Sequence, residues 1–190
     1  MTERVIAQSP VRPFGRDEVR DAVLDAAARH FAASGTGASL REIASDAGVN
    51  LGLIHRHFGN KDDLLRAVLA AQTQGGTRVV EQALDVPNAV REMFEQTTKQ
   101  NRYVRTVAWM LLAGMPVDEL QRHYPSIRAL RDRAAPDIDE LDLLACFALM
   151  YGWTVFGEQL LAAFDRTPRQ RRAVEVHLAG VVERLASASP

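Results

Sequence analysis

From Asp17 to Ala33 the apolar positions Val19, Val23, Leu24, Ala27, Ala28 and Phe31 recur at spacings of three and four. That spacing falls on one face only in an α-helix, so the segment is expected to lay a single stripe against a core. Gly35 and Gly37 end it. Alanine, leucine, arginine and glutamate dominate the rest of the chain and β-branched runs are few, a composition that favours helix throughout. The expected fold class is all-α.

The next start is marked by Ser39-Leu40-Arg41-Glu42, a capping box in which the Ser hydroxyl accepts from the Glu42 N–H and the Glu carboxylate reaches back. The short helix it opens carries Ile43, Ala44 and Ala47 inward and meets Gly48, which is free to take the left-handed conformation of a tight turn. Asn50 caps a second short helix from about Leu51 to His57, with Ile54 and Phe58 turned to the core. Asn60 offers a further cap, with Asp63 three residues later, ahead of Leu64, Leu65, Val68 and Leu69. Two short helices joined by a three-residue turn, with small Ala44 at the crossing, form a helix-turn-helix.

Further helices are expected at about Asn88 to Lys99, Arg102 to Leu112, Val117 to His123, Ser126 to Ala134, Asp137 to Phe164 and Arg169 to Ala186. Gly75-Gly76 is expected to weaken or end the fourth helix, and prolines punctuate the chain beyond it. At 190 residues the chain can bury a sizeable core without staples. Its lone Cys146 lies in an apolar run and reads as a small buried hydrophobe in a reducing compartment. The N-terminus lacks an apolar leader. The longest uncharged run, Leu143 to Gly157, is fifteen residues, short of the roughly 20 that span a bilayer, and reads as a buried helix. A cytoplasmic protein without a membrane partner is expected.

Net charge is −1, so no global field draws the chain to nucleic acid and any charge argument must be local. Residues 1–61 carry eight Lys or Arg against seven Asp or Glu, leaving fifteen against seventeen for the remainder. The local feature is Val49 to Lys61, VNLGLIHRHFGNK, which contains no acid yet holds Arg56, Lys61 and two histidines. Such a surface could face phosphate or hold a metal. His55 and His57 are two apart and do not share a helix face, so no metal is expected. An α-helix fits the major groove, and a groove walled by phosphates would account for the missing carboxylates. His30, beside Phe31, reads as a packed core histidine. No nucleophile–base pair has a recognisable spacing, so neither an enzyme nor a cofactor is expected.

The run VLDAAARHFAASG and the run SLREIASDAGVNLGLIHRHFGNKDDLLRAVL resemble the N-terminal DNA-binding domain of TetR-family transcriptional regulators, over about Val19 to Leu69. The resemblance implies three N-terminal helices that read a palindromic double-stranded operator, and a larger helical domain that binds a small effector and dimerises. It also implies site roles. Ser39 looks like the hydroxyl that caps helix two and touches phosphate, and Arg41 like a backbone or base contact. Gly52 matches a small position permitting close approach to DNA, and His55 and His57 resemble phosphate-facing groups. Lys61 matches the lysine that meets the backbone after the recognition helix, with the helix dipole adding to it. Asn50, Leu51, Leu53 and Arg56 complete the face. Leu51 and Leu53 stand where the family often has polar residues, so they can offer thymine methyl groups only apolar contact.

Three parts are therefore expected: a flexible arm over 1–16, a helix-turn-helix DNA-binding domain over 17–61, and an effector-binding and dimerisation domain over 62–190. Arg4, Arg12 and Arg16 on the arm could follow the minor groove or be solvated. In the C-terminal part Leu143, Leu144, Phe147, Met150, Tyr151, Val155, Leu160 and Leu161 lie on nearly all sides of one helix, which must be covered twice. Val174, Leu178, Val181 and Leu185 form a seam suited to another helix. With Ala145, Ala148 and Gly152 permitting close approach, these two segments are the expected homodimer interface. A dimer would place two recognition helices about 34 to 36 Å apart on successive half-sites. Phe94, Tyr103, Trp109, Met110, Met150 and Trp153 are the candidate lining for a mainly apolar effector, or else plain core. The function expected is a ligand-responsive DNA-binding regulator, a repressor released by its effector; the alternative is a helical dimeric adaptor or ligand-binding protein without DNA binding.

Overall fold

The structure, a computed structural model, describes residue 13, residues 15–115 and residues 124–187. The described residues form nine α-helices and two 3₁₀ turns, with no strand among them. The helices are α1 (Arg16–Ser34), α2 (Leu40–Asp46), α3 (Leu51–Phe58), α4 (Lys61–Gln82), α5 (Val86–Lys99), α6 (Arg102–Leu112), α7 (Pro125–Ala134), α8 (Glu140–Ala163) and α9 (Arg171–Leu185). Most of the expected helices are present within a few residues of their expected ends. The expected helix at Val117 to His123 and nearly all of the expected arm lie outside the described residues.

The α1 stripe closes as its period requires: Val23, Ala26, Ala27 and Phe31 are fully buried against Ile43, Ile54, Leu64 and Val68. Each large apolar side chain so buried contributes about 1.5–3 kcal/mol. This first core also takes Met110 from α6. A second core is built from Val79, Val80, Phe94, Leu130, Met150 and Val182 on α4, α5, α7, α8 and α9. Helix α4 therefore runs from one core into the other, and α6 packs against both α1 and α8. A displacement at one end of α4 is carried to the other as a rigid rod.

Gly75 and Gly76 do not end α4, which continues to Gln82. The reason lies in packing: a Cβ on Gly76 would sit 3.1 Å from Cβ of Ser126, so the missing side chain lets α7 cross closely. The end of α4 is held instead by Arg133 of α7, whose guanidinium donates to the carbonyls of Val80, Ala83 (2.7 Å) and Leu84 (2.9 Å). Cation donors suit the orphan carbonyls and negative dipole end of a helix.

Helix α8 packs Leu143, Cys146, Met150, Trp153 and Leu161 inward on α5, α6 and α9. By length and composition alone it would also cross a bilayer. Its opposite side is uncovered among the described residues: Leu141, Leu144, Phe156 and Leu160 are exposed, so they supply only one of the two coverings its sequence demands. Burial pushes the Cys146 thiol up to about 11, with the charge of Asp142 adding to it, and the S–H donates to the Val182 carbonyl at 3.4 Å.

Candidate nucleic-acid interface and a junction cavity

The helix-turn-helix is set by three local devices. Gly48 takes φ +67°, and its N–H and that of Val49 close the end of α2 on the carbonyls of Ser45 (3.2 Å) and Ala44 (3.0 Å). Asn50 caps α3, its Oδ1 accepting from the Leu53 N–H at 2.9 Å. Asn60 and Asp63 form a complete capping box at the head of α4. The turn between them needs glycine at 59, where φ is +90° and a Cβ would lie 2.8 Å from Asp63 Oδ2.

Ser39 departs from expectation. It stands at the N-cap of α2 in extended conformation, but its side chain makes no capping hydrogen bond, so the box with Glu42 is not formed. Its hydroxyl is left for another partner. His30 is not packed into the core either: it is half-buried, with Nε2 3.4 Å from the Asp46 carboxylate of α2.

On α3 and its cap, Asn50, Gly52, His55 and Arg56 are exposed, while Leu51, Leu53 and His57 are half-buried. Gly52 is restricted from within as well, because a Cβ there would come 3.2 Å from the capping Oδ1 of Asn50. His55 Nδ1 lies 2.9 Å from the Gly59 carbonyl, which anchors that ring to the next turn. Lys61 donates to the Thr36 carbonyl and is half-buried. Arg41 and Arg56 are exposed and have no hydrogen-bond or ion-pair partner among the described residues. Helix α3 carries no acidic residue. The result is one surface with two uncommitted guanidinium groups, a free hydroxyl and a helix N-terminus, which is chemistry suited to phosphate.

Behind this surface, where α1, α4, α5, α6 and α8 meet, lies a cavity of about 470 Å³. Tyr103 and Met150 of the expected lining are on its wall. The other four are elsewhere. Phe94 and Met110 are fully buried in the second and first cores. Trp109 is 43% exposed and shields Gly35, whose Cβ would lie 2.7 Å from the Trp109 Cβ. Trp153 is buried under the Arg171 guanidinium, 5.7 Å from its ring. The wall is more polar than an aromatic and thioether set suggested, with Gln72, Thr73, Gln96, Thr97 and Gln100. The four-residue step from Gln96 to Gln100 was the available signal, since it puts both amides on one face of α5.

Asp25 and Arg102 also line this cavity and pair at 2.6 Å. Partial burial raises the Asp25 carboxyl, but hydrogen bonds and charge from Arg102 and Arg29 outweigh it and hold the group below its ordinary value. Burial, with Tyr103 and Tyr124 nearby, pushes the Tyr151 phenol well above its ordinary value, so it is neutral.

Of the expected interface residues, Ala148 is exposed, and Ala145, Gly152, Val174, Leu178, Val181 and Leu185 are half-buried. Val174, Leu178 and Leu185 already pack on the second core.

The family model described as bacterial regulatory proteins, tetR family, matches residues 23–68. The HTH-type transcriptional repressor Rv3405c of Mycobacterium tuberculosis is 36% identical over 169 residues, 86% of each chain. Among solved structures, a TetR family transcription regulator from Marinobacter aquaeolei matches with a TM-score of 0.65 at 16% identity, over 92% of this chain and 97% of the other. The fatty acid degradation regulator FadR from Bacillus halodurans matches with a TM-score of 0.63 at 17% identity, over 91% and 96%.

Proposed function

The chain belongs to the TetR family of DNA-binding transcriptional regulators, and on that premise we propose that it is a cytoplasmic homodimeric repressor, released from a palindromic operator by a small effector in the junction cavity. The observation that carries this reading is the α3 surface, free of acids and flanked by uncommitted Arg41 and Arg56. Residues 17–61 read the operator and residues 62–190 bind effector and dimerise. Helix α3 enters the major groove with Asn50, Leu51, Gly52 and Leu53 leading, and the two leucines give thymine methyl groups apolar contact. Ser39, Arg41, His55, Arg56, His57 and Lys61 meet phosphates along the groove edge. That a 36% identical relative is named a repressor supports the sign of the effect.

Release stems from where the cavity lies. Its wall includes α1 and α4, the two helices that carry the recognition helix, so a molecule inside biases their angle and with it the spacing of the two recognition helices. Coupling of this kind is reciprocal, and operator must weaken effector by the same factor. The test is binding of the purified protein to genomic fragments from around its own gene at two salt concentrations, with Arg56→Ala/Lys61→Ala as control. The expected result is sequence-selective binding that falls steeply with salt and is lost in the control. Absence of binding at both concentrations would refute the operator reading and favour an adaptor.

A further inference from the structure

Gln72 lines the junction cavity from α4, and its Oε1 is buried without a hydrogen-bond partner among the described residues. Buried carbonyl oxygens are almost always paired, and an unpaired one in a cavity wall sets a condition on what fills the cavity. The neighbouring Thr73 does not meet it, because its hydroxyl is spent on the Ala70 carbonyl at 3.0 Å.

The charges on the wall exclude an anion. Among the described residues Arg102 is the wall's only cationic side chain and it donates to Asp25, while Asp21 adds a second carboxylate to the lining. A carboxylate ligand would have to break that pair and approach two acids. The apolar part of the wall is aromatic, with Phe147 and Tyr151 edge to face at 6.0 Å between centroids and Met150 beside them. Aromatic edges and faces of this kind select planar rings.

We infer that the cavity takes an uncharged aromatic molecule bearing an O–H or N–H group, which donates to Gln72 Oε1 while its ring packs against Phe147 and Tyr151. This deepens the effector reading above and rests on it for the cavity's role. A hydrocarbon of the same shape would desolvate Oε1 and leave it unpaired, and a site with a buried polar group rejects analogues that lack its partner.

Calorimetric titration of the full chain, without DNA, tests the inference with 1-naphthol, 1-methoxynaphthalene and 1-naphthoate. The naphthol is expected to bind about tenfold or more tightly than its methyl ether, and the naphthoate most weakly. Gln72→Leu is expected to bring naphthol and ether within about threefold of each other, with a Tm no lower than that of the unsubstituted protein, because an unpaired buried acceptor is removed. Gln72→Met gives the same comparison should the leucine variant fold poorly. Equal binding of naphthol and ether, tightest binding of naphthoate, no binding of any of the three, or a naphthol preference that survives both substitutions would overturn it. With DNA absent, such a failure leaves operator binding untouched, and a failure of operator binding leaves this selectivity untouched.

Discussion

Arg102 of α6 and Asp25 of α1 are paired across 2.6 Å, and the pair stands on the wall of the junction cavity. Asp25 also takes Arg29 on its own helix, and Arg29 donates to Asp46 of α2 at 3.0 Å. Four alternating charges thus lead from the cavity to the first helix of the helix-turn-helix. All four side chains are about half exposed, so each pair contributes no more than about 1 kcal/mol to stability. Their geometry matters more, because they fix how α1 is turned between α6 and α2. Arg102→Ala is therefore expected to cost less than about 1 kcal/mol in thermal unfolding while shrinking the ratio of operator Kd values measured with and without 1-naphthol. An unchanged ratio would remove this chain of charges from the coupling.

The same carboxylate gives the protein an acid-side dependence. Asp25 has a folded-state pKa below its unfolded value of about 3.9, so its contribution is complete above that value and is lost as pH falls through the lower, folded one. Asp25→Asn is expected to lower Tm slightly at neutral pH, and the difference from the unsubstituted protein should close as pH drops from about 4 towards 3. Melting curves across that window check it; a difference that grows on acidification would contradict the pairing.

Ser39 and Asn50 both stand at helix N-caps, yet only Asn50 caps with its side chain. Asn50→Ala should cost about 1 kcal/mol of stability. Ser39→Ala should cost almost none, but should weaken operator binding by removing a phosphate partner. Chemical denaturation and DNA binding measured on both variants separate the two roles.

The contrast also marks what sequence could and could not convey. Asn50 and the Asn60–Asp63 box were legible because a cap is a contact over three residues. Gly48 was legible because its turn tolerates little else. Ser39-x-x-Glu42 carries the same pattern, and nothing local says that its hydroxyl stays unused. Non-local choices were illegible for a different reason. Phe94, Met110, Tyr103 and Met150 look alike in a sequence, but the first two are claimed by two different cores and the others by the cavity wall. Gln72, Gln96 and Gln100 read as surface because amides add nothing to an apolar period, although they supply much of the wall's polarity.

Adjacent glycines in α4 should respond oppositely to alanine. At Gly75 a Cβ meets nothing within 4 Å, so Gly75→Ala is expected to raise stability by about 0.5–1 kcal/mol through helix propensity and loss of unfolded-state entropy. At Gly76 the added carbon would press on Ser126 Cβ at 3.1 Å, and the gain should be cancelled or reversed unless Ser126 is also made glycine. Melting temperatures of the two single variants and the double variant Gly76→Ala/Ser126→Gly distinguish close helix crossing from simple helix weakening.

The uncovered side of α8 carries the last prediction. Leu141, Leu144, Ala148, Gly152, Phe156 and Leu160 succeed one another in steps of three or four, which aligns them in a single stripe along the helix. Leu144 is 64% and Phe156 58% exposed, and an apolar strip of that length on a monomer's surface is a sign of association. A second copy of the chain would cover it and set two recognition helices on successive half-sites. Leu144→Arg and Phe156→Glu together should leave the helical circular dichroism unchanged, since both side chains face solvent within one chain. They should convert the dimer to monomer in sedimentation and sharply reduce operator affinity, because one short helix then binds alone. Retention of the dimer by the double variant would place the association face on another part of the molecule.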